Sequence, residues 1–173
     1  DQNNQVVSNR TSVIVHKSKV YVGIGSDDYI VTPGKTAKMR IITLDTEGKT
    51  VPSQTVKLQV YLREWNSIRK KGVDGEYYYD NEAKDTLEKE MTVVTDGKGK
   101  VIANIPVPTG GEHRVLATVK DSDGRQAKAG TSVYAWSSTY VNWSHNNNDR
   151  IDVVADKPEY RVGDTAKLLV KTP

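Results

Sequence analysis

Glu64, Asp74, Glu76 and Asp80 are four acidic residues in one stretch of chain. Glycoside hydrolysis uses such residues in pairs, one carboxyl as acid and the other as base or nucleophile. A working pair must face across a cleft, and nothing in this spacing places any two of them so. A solvated hairpin accounts for all four. Asp121-Ser122-Asp123-Gly124 resembles the start of a calcium loop, but the Glu that closes such a loop is missing downstream. A tight turn explains it better. His16, His113 and His145 are scattered and lack metal-ligand spacing. Alternation around His113 points it inward, as a packed or rim residue rather than a ligand. No Gly-x-Ser-x-Gly elbow and no phosphate-cradling loop occurs. The reading is therefore not an enzyme, with no catalytic, cofactor-binding or metal-binding residue assigned and no cofactor expected.

The absence of cysteine excludes a disulfide scaffold, a Cys-based metal site and a thiol nucleophile within these residues. It leaves an oxidising compartment open, since a domain of this size can bury enough apolar surface without staples. The net charge of +3 is the difference between 25 basic and 22 acidic side chains. The two signs are interspersed, and Arg69-Lys70-Lys71 sits beside Asp74 and Glu76. Nucleic-acid binding needs a one-sided basic stripe, so it is not expected. No stretch approaches the ~20 apolar residues of a membrane span. The polar start at Asp1-Gln2-Asn3-Asn4 shows no signal peptide, so any targeting segment is expected upstream. Phe is absent, so any aromatic core must be Tyr and Trp, whose polar ends want a wet rim.

A period of two runs through most of the chain. Val56, Leu58, Val60 and Leu62 alternate with Lys57, Gln59, Tyr61 and Arg63. Ala37, Met39 and Ile41, then Val101, Ala103 and Ile105, then His113, Val115, Ala117 and Val119 repeat the pattern. Asp45-Thr46-Glu47-Gly48, Asp96-Gly97-Lys98-Gly99 and Asp121-Ser122-Asp123-Gly124 supply turns between the runs. Seven or eight short strands between about Val20 and Trp136 predict an all-β, immunoglobulin-like antiparallel β-sandwich. Asn81 to Glu90 lacks an apolar stripe and reads as a loop leading into a strand that ends at Thr95. Ser12 to His16 reads as a short strand.

One motif occurs twice. Tyr29-Ile30-Val31-Thr32-Pro33-Gly34-Lys35-Thr36-Ala37-Lys38 returns as Tyr160-Arg161-Val162-Gly163-Asp164-Thr165-Ala166-Lys167, with Gly34 and Gly163 129 positions apart. That is the spacing of whole domains, well beyond the roughly 20–50 residues of a solenoid repeat. The expected organisation is the end of a preceding domain or a linker at 1–17, a complete sandwich at 18–138, a polar linker at 139–150 and the opening strands of a further domain at 151–173. Those strands are expected to pair near Val13 or to dock on the sandwich. Trp136, Tyr140 and Trp143 flank the linker and are expected to pack between the two parts.

The residues from Asp149-Arg150-Ile151 through Asp156-Lys157, Tyr160, Gly163-Asp164-Thr165-Ala166 and Leu168-Leu169-Val170 closely resemble the opening of a macroglobulin domain in bacterial alpha-2-macroglobulins. Tyr61-Leu62-Arg63-Glu64-Trp65, Lys71-Gly72-Val73-Asp74-Gly75, Tyr77-Tyr78-Tyr79, Asp85-Thr86-Leu87 and Tyr140-Val141-Asn142-Trp143 resemble the macroglobulin-like domain before the bait region of those proteins. The resemblance implies a macroglobulin-like sandwich acting as scaffold in a large protein that traps proteases after bait cleavage. It implies a periplasmic, cell-envelope or extracellular setting, with a lipid anchor on upstream sequence. Its partners would be neighbouring macroglobulin-like domains and, through the whole protein, target proteases, with no small-molecule substrate. A thioester needs a Cys that this chain lacks, and the bait would follow Pro173. Asn9-Arg10-Thr11 and Asn142-Trp143-Ser144 match the glycosylation sequon, which a bacterial setting would leave unused. An immunoglobulin-like repeat of a surface adhesin or carbohydrate-binding protein is the alternative, with Tyr77, Tyr78 and Tyr79 as its sugar platform. A third reading is a noncatalytic accessory domain of a secreted enzyme. The long stretch from Trp65 to Glu90 would be an interaction surface or an extended edge hairpin.

Overall fold

Where branched apolar side chains alternate with polar ones, the chain forms strands and buries one face of each. The computed structural model describes residues 8–137, 141, 143–145, 147 and 150–171. Its strands are β1 (Tyr21–Ser26), β2 (Ile30–Val31), β3 (Lys35–Leu44), β4 (Thr55–Lys71), β5 (Tyr77–Val94), β6 (Lys100–Val107), β7 (Gly111–Lys120), β8 (Gln126–Ala135), β9 (Asp152–Ala155) and β10 (Leu168–Lys171). No helix occurs among the described residues. One sheet has the order β1-β3-β6 and the other β2-β8-β7-β4-β5, while β9 and β10 form a separate pair. All pairings are antiparallel except the two-residue β2–β8 contact, which is parallel. The all-β macroglobulin-like sandwich expected from the alternation is what the chain forms.

The core lies between the two larger sheets. Ala37, Met39, Val56, Leu58, Val60, Ile105, Val115, Ala117, Val119 and Val133 are fully buried. Each belongs to the inward register of its strand. Among the described residues no Tyr or Trp is buried, so aliphatic side chains, with His113 and Thr43, fill the interior. The aromatic rings stay at the rim, where their polar ends reach water or partners.

Three turns share one geometry. In each, an Asp carboxylate accepts the backbone N–H groups two and four residues on: Asp45 from Glu47 and Lys49, Asp96 from Lys98 and Lys100, Asp121 from Asp123 and Arg125. The Gly three residues after each Asp takes a positive φ, which an L-residue adopts only with strain. Gly99 is the tightest of these, because a Cβ there would lie 3.0 Å from the carbonyl oxygen of Val51.

Two expectations need correcting. Asn81 to Glu90 is not a loop but part of the eighteen-residue strand β5, paired with β4 along its whole length. Its outer half stands clear of the sandwich, so both faces meet water and no apolar alternation forms. Ser12 to His16 is not a strand: Val13, Ile14 and Val15 are 79–86% exposed and lie on no sheet edge. An apolar run without an edge to pair with stays irregular.

Leu58→Ala should lower the stability of the sandwich by about 2–5 kcal/mol, since Leu58 is fully buried on the core-facing side of the first half of β4. Urea unfolding would show a lower midpoint at an unchanged slope. A midpoint equal to the wild type would mean that this core is not packed as described.

Candidate functional site

The suspected carboxylate pair does not assemble. Glu64 stands opposite Lys84 on the β4–β5 hairpin, and Asp80 stands opposite Ile68 and pairs with Lys70. Those two acids share a strand face but lie four register positions apart, about 13 Å along the hairpin. Asp74 closes the hairpin turn by accepting the N–H of Glu76. Asp121 spends its oxygens within the protein. They accept Ser18 Oγ, the backbone N–H groups of Lys19, Asp123 and Arg125, and Arg125 Nε. The Lys19 N–H leads in holding this carboxyl far below the usual carboxylate range, against the opposing effect of burial. A calcium ion would find these oxygens already used. No group of three or more His, Asp or Glu side chains converges among the described residues.

What the fold builds instead is an arm with a fixed root. β4 pairs with β7 only from Val56 to Arg63, whereas its pairing with β5 continues to Lys71. Beyond Arg63 the hairpin stands alone. At this exit Arg63 grips Asp85 through two bonds of 2.7 Å, and Arg114 reaches the same carboxylate at 3.3 Å. The Arg63 bond leads in depressing the Asp85 pKa, and the Asp85 bond leads in raising that of Arg63. Trp65 Nε1 donates to the buried Glu112 at 3.1 Å, and Ser132 Oγ donates to its other oxygen at 2.8 Å.

His113 is fully buried just beneath. Val60 pairs with Lys89 and Tyr61 with Leu87, so Glu88 is an extra residue bulging from β5. Its carboxylate meets His113 Nδ1 at 2.8 Å, and His113 Nε2 meets the Thr109 carbonyl at 2.9 Å. A carbonyl only accepts, so Nε2 carries a hydrogen, and one more proton lies in the bond between Nδ1 and Glu88. His113 thus ties the bulge to the loop before β7. Its inward position was legible from alternation; Glu88 was not, because a bulge leaves no mark in a charged run.

The linker and the last two strands are held by both sides of the five-stranded sheet. The Asn81 side-chain amide donates to the His145 carbonyl and accepts the His145 N–H, at 2.8 and 3.0 Å. Reciprocally, the Asn147 amide accepts the Tyr79 N–H and donates to the Tyr79 carbonyl at 2.9 Å. The Tyr79 and His145 rings lie 4.6 Å apart. Trp143 lies 5.9 Å from the Tyr134 ring of β8, with Lys171 of β10 over both rings at 4.1 Å from Tyr134 and 5.5 Å from Trp143. At the other edge the Tyr29 N–H donates to the Asp156 carbonyl at 3.0 Å. The last strands therefore pair with each other and dock on the sandwich, and they do not pair with Val13. Of the three expected linker aromatics, Trp143 packs between the parts, Trp136 is 52% exposed, and Tyr140 lies outside the described residues, as does Asn142 of the second sequon. The triple tyrosine divides between faces: Tyr77, against Arg69, and Tyr79 share one, and Tyr78 lies on the other.

Asp85→Asn should cost about 1–2 kcal/mol near neutral pH, because it removes the charge from a two-bond pair whose side chains are 19% and 27% exposed. The folded pKa of Asp85 lies below its ordinary value. Its stabilisation is complete above the ordinary carboxylate pKa of about 4 and fades as pH falls through the lower folded value. Urea midpoints of wild type and variant should therefore converge on acidification. A gap that stays constant from pH 7 to pH 2 would refute this role for the pair.

Comparison with known proteins agrees with this architecture. A family profile described as Bacterial macroglobulin domain 6 matches residues 23–136. An Alpha-2-macroglobulin homolog of Nostoc sp. is 25% identical over 175 residues, covering 100% of this chain and 9% of the relative. The chain thus spans under a tenth of that protein's length. In fold it is similar to the native conformation of E. coli alpha-2-macroglobulin, with a TM-score of 0.57 and 21% identity over 90% of this chain and 11% of that one. Salmonella alpha-2-macroglobulin reacted with methylamine gives a TM-score of 0.54 and 19% identity over 90% of this chain and 10% of that one. With two-thirds of its residues inside the matching profile and the sandwich in place, the chain belongs to the bacterial macroglobulin domain 6 family.

Proposed function

We propose that this chain is a structural scaffold domain of a bacterial alpha-2-macroglobulin-like endopeptidase inhibitor, a larger protein that traps proteases after cleavage of a bait region. The observation that carries the reading is the match of the sandwich to macroglobulin domain 6, with a docked strand pair continuing from it. The domain's share of the work is to hold the following segment, next to the bait, in a set position. It does so with the arm, Tyr134 and the Tyr29 edge. The trapping chemistry belongs to other parts of the whole protein. Its setting is the periplasm, the cell envelope or the outside of the cell.

The sugar-platform alternative gains no support from the arm. A platform presents coplanar rings, and here consecutive tyrosines alternate in face while Tyr79 is covered by His145.

The test compares the full-length parent with the 173-residue chain against a serine protease. The parent should protect a large protein substrate while leaving cleavage of a small peptide largely intact, as a cage would. The isolated chain should leave cleavage of both substrates intact. Stoichiometric inhibition by the isolated chain would overturn the scaffold assignment.

A further inference from the structure

β5 is the outermost strand of its sheet, and an outermost strand leaves one row of backbone groups without a strand partner. At the outer end of the arm that row is not empty. Tyr79 and Asn81, two residues apart on β5, meet Asn147 and His145, two residues apart on the linker. The order runs antiparallel. Among the described residues no backbone ladder forms here; each link pairs a side-chain amide with a peptide group. An Asn amide offers one acceptor and two donors, much as a peptide does, so it can cap an edge without extending the sheet. Trp143, two residues before His145, meets Tyr134 and Lys171. Residues 143, 145 and 147 thus bind in the period-two pattern of an extended segment.

We propose that the arm edge at Tyr79 and Asn81 is a docking site whose occupant is the chain's own His145 and Asn147, with Trp143 beside them, and that Lys171 of β10 keeps that occupant seated, so that the arm edge and the last strand pair are released together. The contacts suit release. They are few, and the links to Asn81 and Tyr79 are part-buried or exposed, in contrast to the sealed interior around Leu58 and Val115, and such contacts open at low free energy while the core stays closed. The coupling follows from connectivity. Lys171 lies against the Trp143 ring, and Trp143 is two residues from the link at His145 and four from the link at Asn147. A pull on the chain beyond β10 acts first on Lys171 and reaches the arm through that short segment. This linkage is a property of the chain itself and holds whether or not the parent protein traps proteases.

Amide hydrogen exchange on the 173-residue chain tests it. The Tyr79 and His145 amides, donated to Asn147 and Asn81, should both be protected in the wild type. Asn147→Ala should speed exchange at Tyr79 about tenfold. Lys171→Met, which keeps the stem and removes the charge, should speed both amides by a similar factor although Lys171 touches neither. The Leu58 amide should stay protected throughout as a measure of the intact sandwich. If Lys171→Met loses that protection, Trp143→Ala takes its place. Unchanged exchange at Tyr79 and His145, with Leu58 still protected, would show that the two ends are independent and sink the proposal.

Discussion

A strand that outruns its sheet must satisfy its backbone with one neighbour instead of two. β4 meets this constraint at Arg63, where β7 ends beside it and only β5 continues. Past that point no core supports the hairpin, and an isolated two-stranded ribbon is marginal in water. Everything distinctive about the domain gathers around this exit. Arg63, Asp85 and Arg114 pin the outer face, Trp65 and Ser132 hold the buried Glu112, and the Glu88 bulge turns a carboxylate onto the buried His113. The arm needs a stiff root because the linker later uses its outer end as an anchor.

The polar groups at the root are more buried than their types favour, so their partners have to be complete. They are: among the described residues no buried side-chain nitrogen or oxygen lacks a hydrogen bond. His113 shows how strict this is. Its two neighbours are a carbonyl and a carboxyl oxygen, so the ring and Glu88 must hold two protons between them. Losing either partner would strand a buried polar group, which ties the bulge of β5 and the loop ahead of β7 into one unit.

The two copies of the repeated motif meet in space. Tyr29, which begins the first copy, donates its N–H to Asp156, whose carboxylate accepts the Lys167 N–H and the Tyr160 hydroxyl of the second. One copy feeds a strand into a finished sandwich. The other joins β9 to β10, a strand pair that leans on that sandwich by the Tyr29 edge, the Tyr134–Trp143–Lys171 cluster and the arm. A domain that carries the next segment on three points works as a mount, which is the role proposed for it.

Much of the sandwich was legible in the residues alone. Val56-Leu58-Val60 and His113-Val115-Ala117-Val119 alternate because one strand face is buried and the other wet, and burial is written into residue type. The Asp and Gly pairs marked the turns for an equally local reason. The arm was legible only in hindsight: folding the sequence about Asp74 brings Arg63 opposite Asp85 and Ser67 opposite Asn81. Such pairs carry no apolar period, since both faces of that ribbon meet solvent, and a charged run reads the same as loop or strand. The contacts that mount the tail, Asn81 with His145, Asn147 with Tyr79 and Lys171 with Tyr134, join residues far apart in the chain. By itself the sequence determined the core strands of the sandwich, the turns and the family, because these rest on local preference and the burial of one face. Only the tertiary structure decided the length of the arm, the partner of His113 and the seat of the last strands, because each depends on which distant polar groups come within hydrogen-bonding reach.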